Sequence, residues 1–310
     1  MNRIIHQGGT FLLVALTTLL GACSGESDTI TETLPHAPVA ESLRIAPQLK
    51  GGIWASTSAT TRADINYMET VRIVAMKAGA PLNPSAATCV ADKTYTAYYG
   101  MLSPTDENDT EMTLKIGTYD FYIIAPADAL ADDGTVSADN GAMYPYAATV
   151  LRSQMVDDDA DDDTQVAGDG IWNLSAELDY KCTLLFFSMR YPEGYTIQSL
   201  TLHNMAKGPL KASFADNGTG DLEKATSYTD YTLSEVMTSS GSIVENLYLL
   251  PRPLADAPIG FTILASKGGQ AYRFDYTYPS TGAQAFLEMK VGTEYQSTSW
   301  IMKEGDGQPQ

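Results

Sequence analysis

The sequence predicts an all-β protein. Apolar residues recur at every second position in about a dozen short segments, which is the period of a half-buried strand. Turn residues separate these segments at intervals of roughly 8–12 residues, as is typical of β-sandwiches. Segments with helical periodicity are few. A chain of 310 residues with 44% hydrophobic content is long enough to build two such sandwiches.

The first predicted strand begins near Ser42, where Leu43, Ile45 and Leu49 alternate. Pro47 lies within this strand and has no backbone N–H, so we expect an edge strand. The small, polar residues 56–63 follow the strand and predict an exposed loop that proteases can reach.

A glycine-containing pair lies between two alternating segments in the middle of the first half of the chain. Met112 and Ile116 belong to the segment before Gly117-Thr118, and the segment from Tyr119 to Ala125 follows it. Two such segments around a short turn predict a β-hairpin.

Alternation resumes from Trp172 to Cys182 and leads into Thr183–Met189, which is apolar on both faces. A strand of that kind lies in the interior of a sheet. Further strands follow, and the last covers roughly Glu294–Met302. We expect an N-terminal sandwich over residues 42–174, a C-terminal sandwich over residues 175–304 and a polar tail over residues 305–310.

The N-terminus has the features of an export signal. Arg3 precedes an apolar segment, Phe11–Cys23, which is shorter than the roughly 20 residues of a membrane-spanning helix. Its end, Leu20-Gly21-Ala22-Cys23, resembles the bacterial lipobox, which implies cleavage before Cys23 and lipid on its sulfur. Residues 1–22 are then the signal peptide and residues 23–41 a flexible tether. The alternative is an ordinary secretory signal with a chance cysteine.

The composition argues against several classes of function. Acids outnumber bases 38 to 19, and the net charge of −19 argues against a nucleic-acid partner. His203 is the sole histidine of the predicted folded regions. Its position after a predicted strand favours a surface or capping role over a catalytic one. No cofactor motif or metal-ligand spacing is present, so we expect neither a cofactor nor an enzyme.

Two other features leave alternatives open. The acidic segment Asp157–Asp163 is either a solvated loop or, despite its lack of EF-hand spacing, a calcium loop. Cys89 and Cys182 either form a disulfide, as exported proteins often do, or remain two buried thiols.

Taken together, the chain resembles the fimbrillin-type lipoproteins of Bacteroides-like bacteria, which are subunits of type V pili. The resemblance rests on the lipobox and on four looser motifs: Thr61-Arg62-Ala63, Gly117-Thr118-Tyr119 with Ala125-Pro126, Thr183–Met189, and Val291-Gly292-Thr293-Glu294-Tyr295. It implies two tandem transthyretin-like β-sandwiches on the outer-membrane surface, anchored through lipid on Cys23. It also implies that an arginine-specific protease removes the first strand, and that other pilin subunits then associate by β-strand addition.

Mapped onto this chain, the resemblance makes Leu43–Leu49 the strand that leaves and Arg62–Ala63 the cleaved bond. Arg44 is the competing site, and an ordinary loop role for Arg62 is the alternative. The position in the pilus is open. A stalk subunit needs a spare C-terminal strand to donate, and without one the chain would be a tip or an anchor; an anchor would remain uncut and lipidated. A host or bacterial surface ligand is an expected partner of an adhesive subunit. Other functions that we keep open are a glycan-binding surface lipoprotein and, last, a secreted hydrolase.

Overall fold

A computed structural model describes residues 42–51, 53–56, 61–62, 70–98, 101–105, 111–156, 170–215, 218–279 and 286–310. These residues belong to one compact unit. The regular structure within them consists of β-strands and two short 3₁₀ turns, Ala127–Ala129 and Glu304–Asp306. The predicted all-β class is therefore confirmed. The described residues contain no helix that is long and apolar enough to cross a bilayer.

Eleven strands precede residue 181. They are β1 (Ser42–Gly51), β2 (Ile53–Ser56), β3 (Thr61–Arg62), β4 (Thr70–Lys77), β5 (Cys89–Tyr98), β6 (Met101–Pro104), β7 (Thr113–Lys115), β8 (Thr118–Ala125), β9 (Ser137–Ala138), β10 (Ala147–Gln154) and β11 (Ile171–Tyr180).

Eleven more strands follow. They are β12 (Thr183–Arg190), β13 (Thr196–Ala206), β14 (Leu210–Ser213), β15 (Asp221–Leu222), β16 (Tyr228–Leu233), β17 (Thr238–Ser239), β18 (Ser242–Leu249), β19 (Gly260–Lys267), β20 (Gln270–Thr277), β21 (Thr293–Ile301) and β22 (Gln308–Pro309).

The strands form four sheets. The largest has eight strands in the order β6-β5-β4-β8-β10-β11-β1-β7. A six-stranded sheet has the order β17-β18-β12-β21-β2-β3, and a five-stranded sheet has the order β16-β13-β19-β20-β22. The fourth sheet, β15-β14-β9, is small. Because β2 belongs to a different sheet from β1, the N-terminal segment takes part in two sheets.

Two main clusters of buried side chains lie along the sequence one after the other. The first is built from residues between Leu43 and Cys182, and the second from residues between Leu185 and Met302. The predicted boundary after residue 174 falls inside β11, because the strand keeps its alternation and buries Leu178 and Tyr180 in the first cluster. The division of the chain into two transthyretin-like domains stays a prediction.

The predicted hairpin around Gly117-Thr118 is wrong in its pairing, although both of its strands form. The strand before the turn, β7, pairs with β1, and the strand after it, β8, pairs with β4 on one side and β10 on the other. Both edges of β8 are thus occupied, so β7 is left to pair elsewhere. Alternation identified the strands, but it carries no information about their partners.

Arg252 is a buried cation in the second half of the chain, with 1% of its surface exposed. Its guanidinium donates hydrogen bonds to the backbone carbonyls of Asn204, at 2.7 Å, and of Leu287 and Ala257. The guanidinium carbon also lies 4.9 Å from the ring centre of Tyr228. Burial lowers the pKa of Arg252. Carbonyl oxygens and an aromatic ring therefore replace the water that this charge loses on folding.

Candidate functional site

Strand β1 inserts apolar side chains into the first core. Leu43 and Ile45 are completely buried and Leu49 is 5% exposed, as their alternation predicted. Burying a large aliphatic side chain contributes about 1.5–3 kcal/mol, so the three together contribute about 5–9 kcal/mol before the cost of ordering the strand. This strand is therefore a structural part of the core rather than an appendage.

The edge-strand prediction for β1 holds only for its second half. At its start the strand has two neighbours: the Arg44 N–H donates to the Gly170 carbonyl on the β11 side, and the Ile45 N–H donates to Met112 on the β7 side. N–H groups alternate sides along a strand, so the missing N–H of Pro47 falls on the β7 side. There the β7 ladder has already ended at Arg44. Proline is tolerated because no ladder partner is lost.

Strand β11 depends on β1 along most of its length. The two strands run parallel, and Arg44–Gly51 pairs with Ile171–Leu178. On its other side β11 pairs with β10 only at Asp179 and Tyr180. Within the described residues, the backbone of 172–178 therefore pairs with β1 and not with β10. Removal of β1 would take the ladder from these seven residues and would empty three apolar positions of the core.

The N-terminal segment continues from the first sheet to the second. After Gly51 the chain enters β2, where Ala55 and Ser56 pair in parallel with Thr293 and Glu294 at the start of β21. β2 then pairs with the two-residue strand β3, the outermost strand of this sheet. The structure thus places a short strand at 61–62, where the sequence predicted a loop. One continuous segment covers edges in both sheets.

The two candidate cleavage sites differ in their surroundings. Arg62 pairs with Ile53 in β3, at the edge of the sheet and at the end of the segment. Arg44 pairs with Ile171 on one side and Thr113 on the other, and its side chain forms a 2.7 Å ion pair with Glu111. Proteases act on chain that opens locally, and a two-residue edge strand opens at lower free energy than a strand paired on both sides. This contrast favours Arg62.

Four of the predicted features lie outside the described residues: Cys23, the tether, Ala63 and the acidic segment Asp157–Asp163. The part of the chain that the structure describes contains no cluster of three or more His, Cys, Asp or Glu side chains suited to a metal ion.

The two remaining cysteines are not joined in the structure. Cys182 is buried in the first core, whereas Cys89 is half-buried beside a smaller cluster, and its Sγ lies 3.5 Å from the Ala91 carbonyl oxygen. Burial raises the pKa of the Cys89 thiol. Such a thiol reacts slowly at neutral pH.

His203 lies in a polar network that sequence reasoning did not find. Its Nδ1 is 3.0 Å from the Asp230 carboxylate and its Nε2 is 2.7 Å from the Thr262 hydroxyl. This sequence of carboxylate, imidazole and hydroxyl resembles a catalytic triad. The Thr262 hydroxyl, however, donates its proton to Asp275 and also accepts a hydrogen bond from Arg273. A hydroxyl already engaged in this way is poorly placed to act as a nucleophile. The network therefore ties neighbouring strands together.

The end of the chain is paired within the fold. β21 lies between β12 and β2, so it is an interior strand. The predicted polar tail adds a short strand, in which Gln308 and Pro309 pair with β20. The Gln310 N–H donates to the Ala271 carbonyl. Within the described residues, the C-terminal strands are thus engaged in the chain's own sheets.

Comparisons with known proteins found one family model and several solved structures. Residues 43–166 match a family model described as fimbrillin-like. A candidate cell adhesion protein from Bacteroides fragilis superposes with a TM-score of 0.59 at 16% identity, over 86% of this chain and 96% of its own. One from Bacteroides uniformis gives 0.49 at 12% identity, over 88% and 96%. The tip fimbrial protein Mfa3 from Porphyromonas gingivalis, truncated at its C-terminus, gives 0.38 at 10% identity, over 82% and 93%.

A search of curated proteins found no match. The likeness to the Bacteroides fragilis protein, at 16% identity, shows a shared fold. Residues 43–166 are similar to the fimbrillin-like family, so the resemblance read from the sequence is confirmed over this part of the chain.

Proposed function

We propose that this chain is a surface pilus or adhesin subunit that is exported as a lipoprotein on Cys23 and assembles by strand exchange. The fimbrillin-like match and the adhesion and fimbrial proteins among the similar structures support the subunit role. In this proposal the precursor is a closed monomer, because β1 fills its own core. Proteolysis after Arg62 then releases the segment through β3, and a strand from another subunit takes its place.

The observation that carries the proposal is the dependence of β11 on β1. A strand whose ladder comes from one neighbour becomes an acceptor edge when that neighbour leaves. The side chains of Leu43, Ile45 and Leu49 leave together with the strand, and they leave pockets at alternate positions. Backbone pairing would give an incoming strand its affinity, and these pockets would give it specificity.

The experiment compares Arg62→Ala with Arg44→Ala in the full-length precursor. After treatment with an arginine-specific protease, we expect wild type and Arg44→Ala to yield a chain starting at Ala63, and Arg62→Ala to stay uncut and monomeric. Intact mass, N-terminal sequencing and size-exclusion chromatography with light scattering measure these outcomes. Normal processing and assembly of Arg62→Ala would refute the proposed cleavage site.

A separate measurement tests the lipid anchor. Cells fed an alkyne-labelled fatty acid should label the wild-type chain and leave Cys23→Ser unlabelled, because the cysteine sulfur is the proposed attachment point. Equal labelling of both chains would remove the lipoprotein part of the proposal and leave the strand-exchange part standing.

A further inference from the structure

A cleft of about 810 Å³ is lined by residues outside β1, so the proposed strand exchange does not involve it. One wall comes from the outward face of β8 and β10, and another comes from β14 and the residues after it. Residues 79–82 and Gly134 complete the lining. Its volume is within the range of 300–1,000 Å³ that is typical of small-molecule sites.

The polar centre of the cleft is a preorganised ion pair. Nε and Nη2 of Arg152 donate to the two carboxylate oxygens of Asp120, at 2.6 and 2.7 Å. The backbone N–H of Gly79, whose φ of +82° favours glycine, donates to the same carboxylate at 2.7 Å. The Asp120 side chain is 7% exposed, whereas that of Arg152 is 61% exposed. A buried carboxylate thus fixes an accessible guanidinium.

This arrangement leaves donor capacity available to a ligand. A guanidinium has five N–H groups, and the bonds to Asp120 use two of them. The ion pair has no net charge, so the cleft offers little attraction to an ion, and the chain's charge of −19 disfavours an anion.

Aromatic and aliphatic surface flanks the polar centre. The rings of Tyr122 and Phe214 meet edge to face with their centres 5.3 Å apart, and Pro81 and Leu82 also line the cleft. The Tyr122 hydroxyl is already engaged, because it donates to the Ala80 carbonyl at 3.1 Å. A suitable ligand therefore combines hydroxyl groups, which both donate and accept, with apolar faces.

We propose that this cleft binds a neutral saccharide, with sugar hydroxyls hydrogen-bonded to the Arg152 guanidinium and a ring face against Phe214. A sugar ring supplies donors, acceptors and apolar C–H faces without bringing a charge that would compete with the Arg152–Asp120 pair. The inference adds a ligand site to a protein whose assembly is proposed to use other strands.

The test measures binding of the full-length chain to lactose, N-acetyllactosamine, cellobiose and maltotriose by saturation-transfer NMR and calorimetry, with sialyllactose as the anionic probe. Ser213→Trp fills the cleft while leaving the ion pair intact, and it should weaken binding at least about tenfold, equivalent to about 1.4 kcal/mol. Lys211→Trp is its matched control, because Lys211 is an exposed residue on the same strand, outside the cleft, and it should bind as wild type does.

A second pair of variants tests the guanidinium. Arg152→Gln should lose affinity, whereas Arg273→Gln should not, because Arg273 forms a similar ion pair with Asp275 away from the cleft. Thermal unfolding establishes that each variant is folded. Absence of binding to all four neutral sugars, tighter binding of sialyllactose, or unchanged binding by Ser213→Trp would each overturn the proposal. None of these results bears on cleavage at Arg62, so the two proposals fail independently.

Discussion

Replacing Ile45 by alanine tests whether β1 is a structural part of the first core. The side chain is completely buried, and Ile→Ala changes at such sites cost about 2–5 kcal/mol because they remove apolar contacts and leave a cavity. The total stability of a domain is about 5–15 kcal/mol, so one substitution should remove a large share of it. Urea denaturation monitored by tryptophan fluorescence measures the loss.

Gln48→Ala is the matched control on the same strand. Gln48 is exposed, and its side chain donates one hydrogen bond, 3.0 Å long, to Asn173. A surface change of this kind alters stability by about 0.5 kcal/mol or less. The comparison therefore separates the apolar anchoring of β1 from nonspecific effects of mutating the strand.

Hydrogen exchange extends the same prediction to β11. If β1 supplies the ladder of residues 172–178, Ile45→Ala should accelerate amide exchange in β1 and in that part of β11 together, because both strands lose protection in one opening event. Amides of β12 and β18, which pair with each other in a different sheet, serve as an internal reference. The acceptor-edge reasoning is refuted if β11 stays protected while β1 exchanges, or if Ile45→Ala costs less than about 0.5 kcal/mol.

Two further substitutions probe the second half of the chain. Arg252→Met should destabilise it by about 3 kcal/mol or more, since buried carbonyls lose charge-assisted hydrogen bonds; a loss below about 1 kcal/mol in calorimetry would contradict the network. Glu245 is 5% exposed on the core-facing side of β18, and burial raises its pKa. The folded state therefore holds this proton more tightly, and the wild type loses stability as pH rises through the raised pKa. Glu245→Gln should be more stable than wild type at pH 7.5 and indistinguishable near pH 4, and equal stabilities at pH 7.5 would refute this.

Local patterns in the sequence predicted strands well and their partners poorly. The alternation of Leu43, Ile45 and Leu49 identified β1, and the two-faced apolar segment Thr183–Met189 identified β12, an interior strand between β18 and β21. Both signals depend on which face of a strand is buried. The partner of β7 is set by which edges remain unoccupied elsewhere in the sheet, and no residue near Gly117 encodes that.

The sequence suggested residues of the candidate assembly site but not the strand pairing around them. Family resemblance predicted cleavage at Arg62 and loss of the first strand, and both stay predictions. The sequence did not predict the pairing of β2 with β21, which joins residues more than two hundred positions apart in the chain. The short segment Ile53–Ser56 has too few residues to show a period. The cleft around Arg152 and Asp120 was also missed, because the ion pair forms only when β8 and β10 lie side by side.

The hydrogen bonds of Arg252 have a consequence for how the fold responds to acid. The oxygens that receive its N–H groups belong to peptide bonds, which do not take up protons in any ordinary medium. A carboxylate partner would be neutralised on acidification and would release its arginine, as is expected for Asp120 when pH falls through its lowered pKa. The hydrogen bonds from Arg252 to the carbonyls of Asn204, Ala257 and Leu287 should therefore persist at acidic pH, whereas ion pairs with carboxylates are lost.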